Sequence, residues 1–189
     1  MTAHPRPADI IRKHYANHPA AWQILLHHSR QVCFRALAIA RRLQQERSLD
    51  LQFIAEAAML HDIGMIQTNT PQLGCHGDEP YLRHGIAGRS ILEAEGLTRH
   101  ALVCERHIGI GLTALEICEQ KLPLPVRDML PLSLEEQIIC YADLFYSKNI
   151  KSRDKVKSPD KVRKSLTKYG VEKVAVFNRW QQLFEPEMG

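Results

Sequence analysis

The residues of this chain best equipped for chemistry are His61 and Asp62, adjacent at the close of an apolar stretch, and Asp143, on the inner side of a later helical segment. His28 lies within the first long periodic segment, His84 opens a short one and His107 closes another. Ten histidines in 189 residues are the unusual entry in the composition, and these are where function is expected. Imidazoles and carboxylates on separate helices, each at or near an apolar face, are costly to bury without a partner. A divalent ion satisfies such a set, and nitrogen and oxygen ligands together suit Fe, Mn, Co, Ni, Mg or Zn. A buried hydrogen-bond network is the bland alternative. His27 competes with its neighbour His28, and His76 is a weaker loop candidate. His4, His14, His18 and His100 read as surface residues.

The elements that must position these groups are helices. From Ala20 to Arg47, apolar residues recur mostly at three- and four-residue steps, one face of a long amphipathic helix. Leu51 to Asp62 is apolar nearly all round, as expected of a helix through the middle of a bundle, and Ile63-Gly64 ends it. Thr68 to Pro80 holds two prolines and two glycines and reads as a loop. Short helices are expected over Leu82–Glu95, Thr98–His107 and Ala114–Gln120. The Ser133-x-x-Glu136 spacing matches a capping box, opening a helix that runs through Asp143 to about Lys148. VEKVAVFNRWQQLF makes a final amphipathic helix, and no strand is expected. The reading is an all-α, single-domain fold: an N-terminal lead-in helix over 1–19, a helical bundle over 20–149, and a basic helical extension over 150–189 packing back on it.

Composition narrows the function classes. Apolar residues make up 44% and charged residues 24%, ordinary for a globular domain, and a net charge of +4 is too small to argue for nucleic acid. Residues 148 to 168 nevertheless hold nine Lys or Arg against two Asp. They read as a solvated face able to draw in a phosphorylated substrate. With no aromatic before Tyr169 they make a poor base-stacking platform, so nucleic acid is not the expected partner. No apolar run approaches a membrane span, and the prolines and histidines of the first residues do not suit a signal peptide. Five scattered cysteines without a CxxC pair form a poor disulfide framework and fit a reducing cytoplasm; Cys75 is expected to be the accessible one.

The order His28, His61-Asp62, Asp143 resembles the signature of the HD superfamily of metal-dependent phosphohydrolases. HHSRQVCFRALAIA is similar to that family's first-ligand helix when aligned on His28. YLRHGIAGRSIL and ERHIGIGLT resemble the added-histidine segments of its binuclear branch. The likeness is to small stand-alone HDIG proteins, through HDIGMIQT, RHIGIGLT and LEEQIICYAD, and extends from about residue 24 to 148. It implies an HD-domain helical bundle in which His28, His61, Asp62 and Asp143 hold one ion. Asp62 would bridge to a second ion held by His84 and His107. Two such ions clamp a phosphoryl group and activate water, which makes Asp62, Arg83, Arg106 and Lys148 the catalytic candidates. Ile108 stands where other binuclear members carry a further histidine. Met65 replaces a lysine usual in the cyclic-dinucleotide phosphodiesterases, and their GYP motif is absent, so cyclic-di-GMP hydrolysis is not expected.

The reading with most support is therefore a phosphomonoesterase or phosphodiesterase acting on a nucleotide or other small phosphoester, as a monomer or homodimer. Some HD-fold proteins use a similar ligand set for a mixed-valent di-iron oxygenase, which is the first alternative. A non-catalytic metal- or nucleotide-binding module is the second.

Overall fold

The computed structural model describes residues 6–186; His4 and the first residues of the lead-in segment lie outside them. The described residues form an all-α bundle: α1 (Pro7–Tyr15), α2 (Pro19–Leu43), α3 (Leu51–Leu60), α4 (His84–Ala94), α5 (Thr98–Arg106), α6 (Ala114–Glu119), α7 (Leu134–Asp143), α8 (Pro159–Leu166) and α9 (Val171–Phe184). No described helix is long and apolar enough to cross a membrane.

Local chemistry sets the boundaries. Pro19 occupies the first turn of α2, where its missing N–H costs nothing. Asp50 caps α3 by accepting from the Phe53 N–H at 2.9 Å. Ser133 caps α7, accepting from the Glu136 N–H at 3.2 Å, but the reciprocal half of the expected box is missing. The Glu136 carboxylate accepts instead from the Leu132 N–H at 3.0 Å and from Arg106 at 3.1 Å. The complete capping box is at α6, between Thr113 and Glu116. α7 also stops at Asp143, short of the expected end near Lys148. The 68–80 loop carries a two-residue antiparallel pairing, Asn69–Thr70 against Cys75–His76, which periodicity over so short a run does not reveal.

Two large apolar clusters make most of the core, beside a small third one of Ile117, Leu124 and Met129. One joins the C-terminal half of α2 to α3, α7 and the helices α8 and α9, where Phe177 and Phe184 pack on Tyr141. The other joins α1 and the N-terminal half of α2 to α4, α5 and the turn after Asp62. His28 lies between Leu25 of the second cluster and Val32 of the first, so the polar cluster sits where the two meet. α4 approaches that turn closely: a Cβ on Gly64 would lie 2.1 Å from the Gly88 nitrogen and the His84 carbonyl oxygen. Only glycine admits the contact that sets His84 beside Asp62.

Expectations about two single residues and one segment change. His100 is buried rather than exposed, and Glu56 lies 3.1 Å from its Nε2. Cys75 is buried too, its thiol pushed up to about 11 by burial, whereas Cys118 is exposed. Within 148–168 the chain is only partly a free face. Lys157 donates to the Leu144 carbonyl at 3.0 Å, and Ser158 caps α8.

Candidate metal centre

Helix geometry aims four histidines at one point. His61, His84 and His107 each place Nδ1 at 2.7 to 2.8 Å from the carbonyl oxygen three residues earlier, those of Ala58, Tyr81 and Cys104. A carbonyl only accepts, so Nδ1 carries the proton and Nε2 is left facing inward. His28 comes in from α2 and Asp143 from the last residue of α7.

Two groups of ligand atoms result, each with its members within 4.8 Å of one another: His28, His61, Asp62 and Asp143, and Asp62, His84 and His107. Asp62 belongs to both. Its Oδ2 lies 3.1 Å from Nε2 of His28 and of His61. Its Oδ1 lies 3.3 Å from His84 and 3.4 Å from His107. Asp143 Oδ1 is 2.9 Å from His28 and 3.6 Å from His61. All six are buried or nearly so; Asp143 keeps the most exposure, 17% of its side chain.

Proximity here is not hydrogen bonding. Both Asp62 oxygens and Nε2 of His28 and His61 are buried without a hydrogen-bond partner of acceptable direction, although ion-pair distances are met. Nε2 of His84 and Nε2 of His107 face each other at 3.1 Å. With Nδ1 of each ring turned to a backbone carbonyl, the two Nε2 atoms set lone pair against lone pair there, which a cation between them relieves. The donor set therefore fits a divalent ion.

Electrostatics follow the same division. Burial opposes charge on His61, but Asp62 and Asp143 overcome it and raise this imidazole to about 10. Burial dominates at His84, which falls to about 3 despite Asp62. Burial works against charge on Asp62 as well, yet Lys148 and His61 hold it well below the usual carboxylate range. Lys148 Nζ is 2.7 Å from Asp62 Oδ2 and, against its own burial, is held cationic by Asp62, Tyr81 and Asp143.

Of the nine residues singled out from sequence, the structure brings seven together: the six ligand candidates and Lys148. Arg83 and Arg106 are engaged elsewhere. Arg83 pairs with Glu79 and donates to the Pro123 carbonyl; Arg106 pairs with Glu136. Each neighbours a ligand in sequence, and one step along a helix turns a side chain by roughly 100°. Two further histidines also stay out: His27, on α2, pairs with Asp154, and His76, in the 68–80 loop, is exposed. Two tyrosines were not anticipated. Tyr81 stacks on His84 with centroids 4.7 Å apart. Tyr15 donates to the Ile63 carbonyl at 2.9 Å and accepts from the Ile66 N–H at 3.1 Å, pinning the turn after Asp62. Its signal was an aromatic on the buried face of α1.

The HD domain model matches residues 25–147. The chain belongs to the HD domain family. This HD chain is 38% identical over 116 residues to the uncharacterized protein MJ0778 of Methanocaldococcus jannaschii, a match covering 60% of this chain and 61% of that one. It is 35% identical over 119 residues to the tRNA (cytidine(56)-2'-O)-methyltransferase of Picrophilus torridus, covering 62% and 30%. The enzyme of the same name from Thermoplasma volcanium is 29% identical over 175 residues, covering 91% and 44%. The chain thus spans less than two thirds of the length of these relatives. Among solved structures, the HD domain of the L. monocytogenes phosphodiesterase PgpH in complex with cyclic-di-AMP superposes with a TM-score of 0.52 at 16% identity, over 97% of this chain and 96% of that one. That likeness is one of fold.

Proposed function

We propose that this HD protein is a metal-dependent phosphohydrolase for a small phosphorylated substrate, with nucleotides as the substrate class. His28, His61, Asp62 and Asp143 would hold one divalent ion, and Asp62, His84 and His107 a second. The observation that carries this reading is the burial of both Asp62 oxygens between two inward-facing sets of imidazoles, with Lys148 ion-paired at Oδ2.

Bound ions of this kind polarise a phosphoryl oxygen and make a water nucleophilic near neutral pH. The protein's share is to fix and charge the site. The backbone carbonyls behind His61, His84 and His107 lock each ring's direction, which is worth roughly 10–100-fold in affinity or activity in comparable sites. Lys148, cationic and only 14% exposed at its side chain, is placed to neutralise a substrate phosphate at the cluster's edge. Arg83 and Arg106, ion-paired with Glu79 and Glu136, are assigned no such part in this reading. That the solved neighbour is a phosphodiesterase in complex with a cyclic dinucleotide supports nucleotides as the first class to try.

The test is anaerobic phosphate release from nucleotides and simple phosphoesters with Mn, Fe(II), Co, Ni, Mg or Zn supplied in turn. Metal-dependent turnover that Asp62→Ala abolishes is expected; turnover that survives Asp62→Ala would overturn the site. Silence across the panel, with oxygen consumed by a two-iron form, would instead favour the oxygenase reading, to which the same six ligands are suited.

A further inference from the structure

A cavity of about 810 Å³ lies beside the cluster, and Lys148 belongs to both. Its volume is that of a small-molecule site, well beyond what inorganic phosphate fills. Tyr81, which packs on the ligand His84, forms one wall; Leu73, Tyr146 and Ile150 supply further aromatic and aliphatic surface. Ile150 is 57% exposed, an apolar side chain left open at this place. Gln72 and Asn149 bring amides, each offering a donor and an acceptor, and Lys151 adds a second cation.

The wall after α7 is tied in place. Asn149 Oδ1 accepts from the Lys151 N–H at 2.9 Å, and Ser152 donates to the Ser147 hydroxyl at 3.1 Å. Lys157 donates to the carbonyls of Leu144 and Tyr146 at 3.0 and 3.4 Å. A cation at the inner edge and aromatic, aliphatic and amide groups beyond it suit a ligand with an anionic end and a flat, apolar-faced, hydrogen-bonding body.

We infer that this cavity binds a nucleoside monophosphate, its phosphate toward Lys148 and its base against the wall formed by Tyr146 and Ile150. Placing the phosphate rests on the hydrolase reading above; the base site does not. A sugar phosphate would leave Leu73, Tyr146 and Ile150 without a partner, whereas a base has a π-face for them.

Calorimetric titration of the intact protein with AMP, GMP, CMP, UMP and ribose 5-phosphate, with and without Mn(II), tests the inference, released phosphate being measured in the same samples. At least one nucleotide is expected to bind about tenfold or more tightly than ribose 5-phosphate, the scale of one base–aromatic contact. Tyr146→Ala should bring that ratio toward one. Ile150→Ser, at an exposed position that leaves the fold intact, should lower it less. Equal affinities for nucleotides and ribose 5-phosphate, or a ratio unmoved by both substitutions, would overturn the inference. Selective nucleotide binding without phosphate release under any metal would sustain it and contradict the hydrolase reading; phosphate release with equal efficiency from ribose 5-phosphate would do the reverse.

Discussion

On one side of Asp62, His28, His61 and Asp143 arrive from α2, the end of α3 and the end of α7, bringing two imidazoles and a second carboxylate. On the other side, His84 and His107 come from the neighbouring helices α4 and α5 and bring no carboxylate of their own. The first half has two carboxylates to offer one ion, the second only its share of Asp62. His61 follows its carboxylates and is raised to about 10, while His84 follows burial and falls to about 3. The difference teaches that the halves would be unequal partners in the proposed site: the first has the carboxylates to attract a cation alone, and the second would depend on the carboxylate it shares.

The largest effect that would sharpen this comparison is the contrast between Asp143→Ala and His107→Ala. Asp143→Ala should lower turnover by about 10^3-fold or more, the scale of losing a group at a reacting centre, and weaken both ions. His107→Ala should remove one equivalent of metal and keep the other, at a smaller cost in rate. Equal loss of metal in the two variants, read by elemental analysis after dialysis, would break the proposed asymmetry.

Next in size is the charge at the cluster's edge. Lys148→Gln should reduce turnover by about 10^2-fold, as removal of one preorganised charge-stabilising group does, while leaving two equivalents of metal bound. A variant that binds less metal but turns over normally would show Lys148 to be a metal-site support instead.

Metal should also stabilise the fold. Mn(II) at about a hundred times its dissociation constant adds about 2.7 kcal/mol for a single site, or roughly 5–10 °C in Tm for a chain of this length. His107→Ala should retain most of that rise and Asp143→Ala little of it, as scanning calorimetry would show.

Smallest of all is Arg106→Ala. Its partner Glu136 is in α7, away from the cluster, so turnover should stay within a factor of about three. The chain should lose about 1–2 kcal/mol of stability through the carboxylate left without its partner. A large loss of turnover with stability intact would return Arg106 to the reacting centre.

The site was more legible in the sequence than the side chains around it. The metal-ligand types at His28, His61-Asp62, His84, His107 and Asp143 sat at segment ends or on an apolar face, and helix packing carries such positions to one place. Arg83 and Arg106 pair with Glu79 and Glu136 because closeness in sequence fixes a backbone position but not a direction. Lys148 stood farther from its ligand, yet it lies past the end of α7, where the chain turns back on Asp62. His100 looked exposed because its neighbours Thr98 and Arg99 are polar, but it shares a face with Val103, Cys104 and His107, which points inward. The Tyr81 stack and the Gly64–Gly88 contact depend on where α4 comes to rest, which periodicity within one helix does not encode.

The central claim is that one buried carboxylate serves two ions, and metal stoichiometry tests it directly. The protein would be purified anaerobically, loaded with Mn(II) or Fe(II), dialysed and assayed for metal per chain. The account predicts two equivalents in the parent, one in His107→Ala and none held in Asp62→Ala. Metal retained at the parental level in a folded Asp62→Ala protein would contradict it.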